Sequence, residues 1–526
     1  MCSLGLISCA PASTDSVGAA GTPTQVLRGA YLQQVTPTSI VIRWRTNIPT
    51  SSRVVFGKSI AYGKEVISTN DTTEHIIQLT GLSPSTTYYY AIGSESEILQ
   101  GDSLNSFITA PAPGIFSPVR IWATGDFGSG SQMQRDVRDA YKNYSQVTTN
   151  LWIWLGDNAY ASGTDSEYQS YVFDVYPEQL KQFPLYPAPG NHDYGNIGYL
   201  SAASFTNNFN YFSIFTVPQN GEAGGIPSGT PKYYSYNYSN IHFISLDSYG
   251  ALNTPGSPMY EWLVKDLSTN SQRWTIVYFH HPPYTKGTHN SDTEMELIDM
   301  RTHLVPLLET FKVDLVLNGH SHVNERSYLL KGHYGLSTTF DSSMRIQPAT
   351  NDFIKKSPYA GTIYAICGTS GQNAGPPMSD APMPCMYFND FTSNCSLILD
   401  VHGDRLTGKY LSTNGEIKDE FSITKTGLFS AANQTNHSCE ISYHPGTSTI
   451  YFTMFLTESA NLKVSLYNLL GEKIQDFEQI PVTLSSGYHV QSVEPNKFVN
   501  SNGVYLIKVM IGNEMFSKKI FIDVKP

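Results

Sequence analysis

The sequence predicts a multi-domain fold: an N-terminal all-β sandwich, a central α/β unit and a small C-terminal β-sandwich. Three observations carry that expectation. At 526 residues the chain exceeds what one core normally holds, so two to four domains are expected. Its early part alternates apolar residues with a period of two, its middle intersperses apolar runs with helical spacing, and its end returns to short alternating strands. With 40% hydrophobic and 15% charged residues, it has the composition of a chain that buries cores.

Residues 1–22 read as a signal remnant or flexible N-terminus. MCSLGLISCAPASTDS passes from apolar to small and polar, yet it lacks a cationic start and its apolar part is short, as in a signal truncated at its front. Leu6-Ile7-Ser8-Cys9 also resembles a lipoprotein cleavage box with Cys9 as the lipidated residue, an ordinary signal remnant being the blander reading. No run of about 18 apolar residues occurs anywhere, so no transmembrane segment is expected.

Residues 24–112 form the predicted sandwich. In SIVIRW, Ile40, Ile42 and Trp44 share one face, and in TYYYAI so do Tyr88, Tyr90 and Ile92, the alternation of half-buried strands. Turns are expected at Asn47-Ile48-Pro49 and Gly81-Leu82-Ser83-Pro84. GLSPSTTYYY, with Trp44 upstream, resembles a fibronectin type III-like domain, and Ala110-Pro111-Ala112-Pro113-Gly114 reads as the linker that leaves it. No titratable cluster appears here, so a scaffold or binding surface is expected.

From Val119 the chain alternates strands with helices. The strands are VRIWATGD, LWIWLGD, LYPAPGNHD, IHFISLD, RWTIVYFHH and VDLVLNGH, and a helical stretch carries Met133, Val137 and Tyr141 between the first two. Their ends are Asp126, Asp157, Asn191-His192, Asp247, His280-His281 and Gly319-His320. In open α/β sheets the carboxyl ends of strands form the ligand crevice, so these distant residues are expected to meet. Asp247 and His303 have no motif behind them and are left to structural or solvent roles; Tyr284, in HPPY, fits either a pocket wall or an ordinary turn.

With Tyr160, three residues after Asp157, the donors are carboxylates, a phenol, an amide and several imidazoles. Such hard oxygen donors with imidazoles suit iron, manganese or zinc; calcium would not choose several imidazoles, and a structural zinc site would be richer in cysteine. Seven side chains are too many for one ion and suggest two metals sharing a carboxylate, an arrangement suited to clamping a phosphoryl group. The formal net charge of −11 without a basic cluster argues against a nucleic-acid or anionic-membrane surface, so any phosphate chemistry is local.

Gly125-Asp126-Phe127-Gly128, Gly156-Asp157-Asn158-Ala159-Tyr160, Gly190-Asn191-His192-Asp193, Val277-Tyr278-Phe279-His280 and Gly319-His320-Ser321-His322 resemble the five ordered blocks of the metallophosphoesterases, specifically the purple acid phosphatases. The resemblance covers roughly residues 24 to 425 and implies an αββα metallophosphoesterase domain at 115–427. It also implies that Asp126, Tyr160 and His322 hold Fe(III), that Asn191, His280 and His320 hold a divalent metal (Fe, Zn or Mn), and that Asp157 bridges. Asp193 stands where glutamate is frequent, His281 stands where a small residue is usual, and the insert between Asp193 and Ile241 has no counterpart.

The function so implied is that of a secreted acid phosphatase cleaving phosphate monoesters of small molecules, with hydroxide supplied by water acidified at the metals. His192 is placed by its motif to touch the phosphoryl group or protonate the leaving alkoxide; His281 and His289 are secondary candidates for catalysis. A phosphodiesterase or nucleotide phosphatase would use the same ligands, and a surface adhesin with a relic site is the rival outside enzymology.

Residues 438–526 form the last predicted domain. YNLLGEKI, LSSGYHV and NGVYLIKVMIGNEMFSKKIFIDVKP give short alternating strands and resemble the C-terminal sorting domain of the Bacteroidetes type IX secretion system, although the usual Asn-Pro opening is not evident at His444-Pro445. That implies export machinery as a partner and a secreted or outer cell surface location, with the periplasm in transit. Six scattered cysteines are too few for a disulfide-built fold, and for Cys385 and Cys395 pairing across a surface loop and remaining free are equally open.

Overall fold

The apolar runs that precede the acids become strands of two seven-stranded sheets laid face to face. The structure is a computed structural model and describes residues 23–112, 117–144, 147–200, 209–356, 359–378, 382–426, 437–444, 449–456, 459–477, 483–484, 487–522 and 524. The candidate lipidated Cys9 and the Pro113-Gly114 end of the expected linker lie outside them.

In the first sheet Val119–Thr124 pairs in parallel with Leu151–Trp154, and that strand with Leu185–Pro187. On its other side the sheet continues through the antiparallel strands Cys395–His402, Arg405–Ser412 and Ile417–Thr426, with Asp352–Lys356 at the edge. The second sheet has a parallel centre of Ile241–Ser245, Trp274–Tyr278, Leu315–Asn318 and Ile363–Cys367. Antiparallel Tyr234–Tyr238 flanks it on one side, and Asn324–Ser327 and Met386–Asp390 on the other. Every residue of Leu151–Trp154 and of Trp274–Tyr278 is buried, which is why these segments read as near-continuous apolar runs, interrupted in the second only by Thr275.

One core cluster joins Trp122, Ile153 and Leu397 of the first sheet to Phe243, Ile276 and Leu315 of the second, and Tyr186 stacks on Tyr236 with centroids 3.8 Å apart. Helix Gln132–Tyr144 covers the outer face of the first sheet, where Tyr141 stacks on Trp122 at 4.3 Å. It buries Gln134, Val137, Ala140 and Tyr141, while Met133, expected on that face, is only half-buried. Helices Pro258–Thr269 and Val305–Thr310 close the outer face of the second sheet, packing Leu263 and Leu308 with Val277 and Val316. The layering is helix, sheet, sheet, helix.

The N-terminal β domain is a six-stranded hydrogen-bonded assembly whose long strand Ile40–Gly57 pairs with three neighbours. The expected turn at Asn47-Ile48-Pro49 is not a turn. The strand runs through it with a register irregularity between Arg45 and Thr50, so the proline bends the strand instead of ending it. The turn at Gly81-Leu82-Ser83-Pro84 is present between strands Lys64–Leu79 and Thr87–Gly93. This domain is tied to the centre by Arg28 and Arg45, both paired with Asp165, and by the Tyr31 hydroxyl, which donates to the Ile214 carbonyl at 2.8 Å.

Near the C-terminus a three-stranded and a five-stranded sheet share one cluster containing Ile450, Phe452, Val464 and Ile507. The Cys385–Cys395 disulfide does not form. Both thiols are free and fully buried, Cys395 in the core between the sheets and Cys385 in the cluster under the outer helices, so they pack in different places.

Candidate metal centre

Every expected ligand stands just beyond the end of a strand, on a turn that points it at one place. The backbone at Asp126, Asp157 and His320 is left-handed, with φ of 55°, 51° and 65°. Non-glycine residues rarely adopt this conformation, and its recurrence at three residues of one site marks turns held there by their surroundings. Gly156, at φ 92°, lets the Asp157 turn pass against His280: a Cβ there would stand 2.5 Å from His280 Nδ1. Gly190 allows the Asn191 turn an equally close approach to the Asp157 carboxylate, since its Cβ would lie 2.2 Å from Asp157 Oδ1.

The seven predicted ligands are brought together in two groups. In the first, the Tyr160 hydroxyl lies 2.9 Å from Asp126 Oδ1, 3.1 Å from Asp157 Oδ2 and 3.5 Å from His322 Nε2. In the second, His280 Nε2 lies 3.1 Å from Asn191 Oδ1 and 3.2 Å from the same Asp157 Oδ2. The His320 ring sits 5.0 Å from that of His280, and its main-chain N–H donates to Asp126 Oδ2 at 2.8 Å. Asp157 Oδ2 therefore touches both groups, the position a shared carboxylate must take. His280 Nδ1 is 2.9 Å from the Leu155 carbonyl, which fixes its proton there and leaves Nε2 as the ligand atom.

Charge explains why the group fits a cation. Asp126 and Asp157 are buried side by side, and burying carboxylates without compensation is costly. In the protein alone, protons do the compensating. Burial opposes charge on His280, but the carboxylates of Asp157 and Asp126 raise its pKa to about 9. Burial, reinforced by the same carboxylates, pushes the Tyr160 phenol well above its usual value. His320, in contrast, is driven down to about 3 by burial and the neighbouring His289. The Tyr160 hydroxyl and His280 Nε2 both reach these buried carboxylates, and the oxygen and imidazole donors suit iron, manganese or zinc.

The three predicted catalytic histidines are differently disposed. His192 sits over Tyr160 with ring centroids 4.4 Å apart, its Nδ1 2.5 Å from the Ala161 carbonyl and its main-chain N–H donating to Asp157 Oδ1. Its side chain is 22% exposed. His289 packs on His320 at 3.8 Å, with Nδ1 2.7 Å from Glu294 Oε2. His281 is fully buried, with Nδ1 2.8 Å from Ser248 Oγ.

Several supporting residues escaped sequence reasoning. Asp193 accepts from the main-chain N–H of Gly190 and of Asn158, from the Asn158 amide and from the Tyr168 hydroxyl, tying the Asp157 turn to the Asn191 turn. Burial and the charge of Asp157 raise it to about 7. Its place at the end of GNHD was a visible signal, whereas Glu294 and Ser248 stand in no motif. Asp247 is structural, as expected: it accepts from the Tyr194 hydroxyl and from the main chain of Tyr249 and Gly250. His303 is also paired, its Nδ1 3.0 Å from Asn253 Oδ1. Tyr284 is buried, its hydroxyl donating to the His333 carbonyl.

These features define a class. Residues 119–324 match the calcineurin-like phosphoesterase family, and residues 27–109 match the purple acid phosphatase N-terminal domain. Purple acid phosphatase 15 of Arabidopsis thaliana is 30% identical over 333 residues, a stretch covering 57% of this chain and 59% of that protein. Probable purple acid phosphatase 20 of the same plant is 28% identical over 312 residues, covering 56% of this chain and 68% of that one. Among solved structures, a purple acid phosphatase from yellow lupin seeds superposes with a TM-score of 0.60 at 18% identity, covering 75% of this chain and 74% of its own, which speaks to fold alone.

Proposed function

We propose that the protein is a secreted acid phosphatase that hydrolyses phosphate monoesters at a dinuclear Fe(III)–M(II) centre. The observation that carries this reading is the contact of Asp157 Oδ2 with both donor groups, one of which contains a tyrosine. Asp126, Tyr160 and His322 would hold the iron, Asn191, His280 and His320 the divalent ion, and Asp157 both. When bound, such a pair supplies Lewis acidity that lowers the pKa of water and offsets negative charge on a phosphoryl group.

The chain's own residues do the rest. His192, its Nδ1 held by the Ala161 carbonyl and its Nε2 3.7 Å from the shared Asp157 Oδ2, keeps a side chain 22% exposed, so that its Nε2 donates to a phosphoryl oxygen or to the leaving alkoxide. His289, its Nδ1 held by Glu294 and its ring 3.8 Å from that of His320, serves the same task. The N-terminal domain, of fibronectin type III-like kind, serves as scaffold. Residues 438–526 act as a type IX sorting domain that delivers the protein to the outer surface or the medium.

The experiment is Asp157→Ala, compared with wild type by elemental analysis and by turnover on aryl phosphate mono- and diesters. Wild type should hold two metals and prefer monoesters, and the variant should lose at least one metal and nearly all turnover. Full metal content and turnover in the variant would refute the assignment. Steady diester turnover above that on monoesters would move the reading to a phosphodiesterase.

A further inference from the structure

His281, grouped by sequence with the proton-handling histidines, has an environment that suits another role. It is fully buried, and among the described residues its Nε2 is one of the buried polar atoms with no hydrogen-bond partner. A buried ring nitrogen without a partner costs stability and calls for a ligand. The rest of the ring is fixed. Nδ1 lies 2.8 Å from Ser248 Oγ, which also accepts from the His281 main-chain N–H at 3.1 Å, and Tyr249 stacks on the ring at 5.4 Å with planes 10° apart.

The unpartnered nitrogen faces a cluster. The His281 ring lies 4.3 Å from that of His320 and 4.8 Å from that of His280, and one ring nitrogen from each of the three lies within 4.8 Å of the others. The His320 Nε2 is likewise without a partner. A ligating histidine commonly donates its second N–H to an oxygen, as His280 does to Leu155 and as Ser248 allows His281 to do. A donor to substrate, by contrast, needs access, and His281 has none, whereas the His192 side chain is 22% exposed.

Resting on the dimetal reading above, we propose that His281 is a third imidazole ligand of the divalent metal, beside His280 and His320, with Ser248 holding its far nitrogen. With Asn191 Oδ1 next to His280 Nε2, the divalent half is then nitrogen-rich, which favours zinc or ferrous iron over manganese. This departs from the resemblance, which expects a small residue at 281.

The test uses the full chain and has no need of turnover. Metal content is measured by elemental analysis and zinc affinity by competition with a chelator, in wild type, His281→Ala, Ser248→Ala and Ser248→Thr. Wild type should hold two metals. His281→Ala should keep its iron while zinc affinity falls by about 100-fold, and Ser248→Ala should weaken zinc by roughly 10-fold with recovery in Ser248→Thr, the size expected when a ligand's support is removed. Wild-type zinc affinity in His281→Ala, or in Ser248→Ala should the first variant not fold, overturns the proposal and leaves the dimetal reading intact. A wild type without two metals overturns both.

Discussion

At the scale of single residues, the site depends on which protons are fixed and which are free. His192 has its Nδ1 beside a carbonyl, its main-chain N–H on Asp157 Oδ1 and its Nε2 3.7 Å from Asp157 Oδ2, so removing the side chain leaves the main-chain tie to Asp157 and the seven candidate ligands in place. His192→Ala is expected to lower kcat by about 100-fold or more while both metals remain, the size of a lost general acid or phosphoryl contact. Loss of metal in that variant would instead make His192 part of the metal support. The seven candidate ligands were legible in the sequence because each sits in a short block at a strand end, where neighbours such as Gly156-Asp157 and Gly319-His320 mark the turn. Ser248 and Glu294 were not, because their work is done across space, and Asp193, visible at the end of GNHD, gave no sign of its distant partners. Asp193 meets Asn158 35 positions away and Ser248 meets His281 33 positions away, distances over which no local pattern forms. The cysteines stayed undecided for the same reason: ten residues of separation said nothing about Cys385 and Cys395 packing in different cores.

At the scale of elements, the strand ends are where geometry is stored. Gly156 has a left-handed backbone and lies against His280, so Gly156→Ala adds both backbone strain and a clash. The expected cost is roughly 3 kcal/mol of stability, with weaker metal binding, because the neighbour that must yield is the imidazole of a candidate ligand. Thermal unfolding together with metal content checks this. An alanine variant with unchanged melting and full metal content would show that the turn is not under this constraint. The parallel strands were readable because burial on both faces writes them as near-continuous apolar runs. The antiparallel strands from Cys395 to Thr426 were not read as strands, since alternating stretches such as Arg405–Ser412 carry no chemical landmark. The bend at Asn47-Ile48-Pro49 was taken for a turn because proline and asparagine signal both.

At the scale of the whole molecule, three units follow one another, and the candidate ligands all belong to the central one. The last, His322, lies more than a hundred residues before the C-terminal sheets begin at His437. Removal of residues from about 438 onward is therefore expected to leave hydrolysis and metal content intact and, on the proposed sorting role of this tail, to abolish surface delivery. Activity of the truncated protein alongside cell fractionation checks both halves. A folded, metal-loaded truncation without activity would mean that the tail contributes to the site. The order of the units was legible from changes in periodicity alone, but the way the first is fastened to the second, through Arg28, Arg45 and Asp165, was not. The property that reports most directly on the central claim is colour. A tyrosine phenolate bound to Fe(III) donates charge to the metal and absorbs visible light, and Tyr160 is the phenol set between Asp126 and Asp157. The visible spectrum of the oxidised protein, with iron verified by elemental analysis, should show a purple or pink band in wild type that is absent in Tyr160→Phe. A colourless iron-bearing wild type, or a Tyr160→Phe protein with the same band, would contradict the account and leave a site of two divalent metals without a tyrosine ligand.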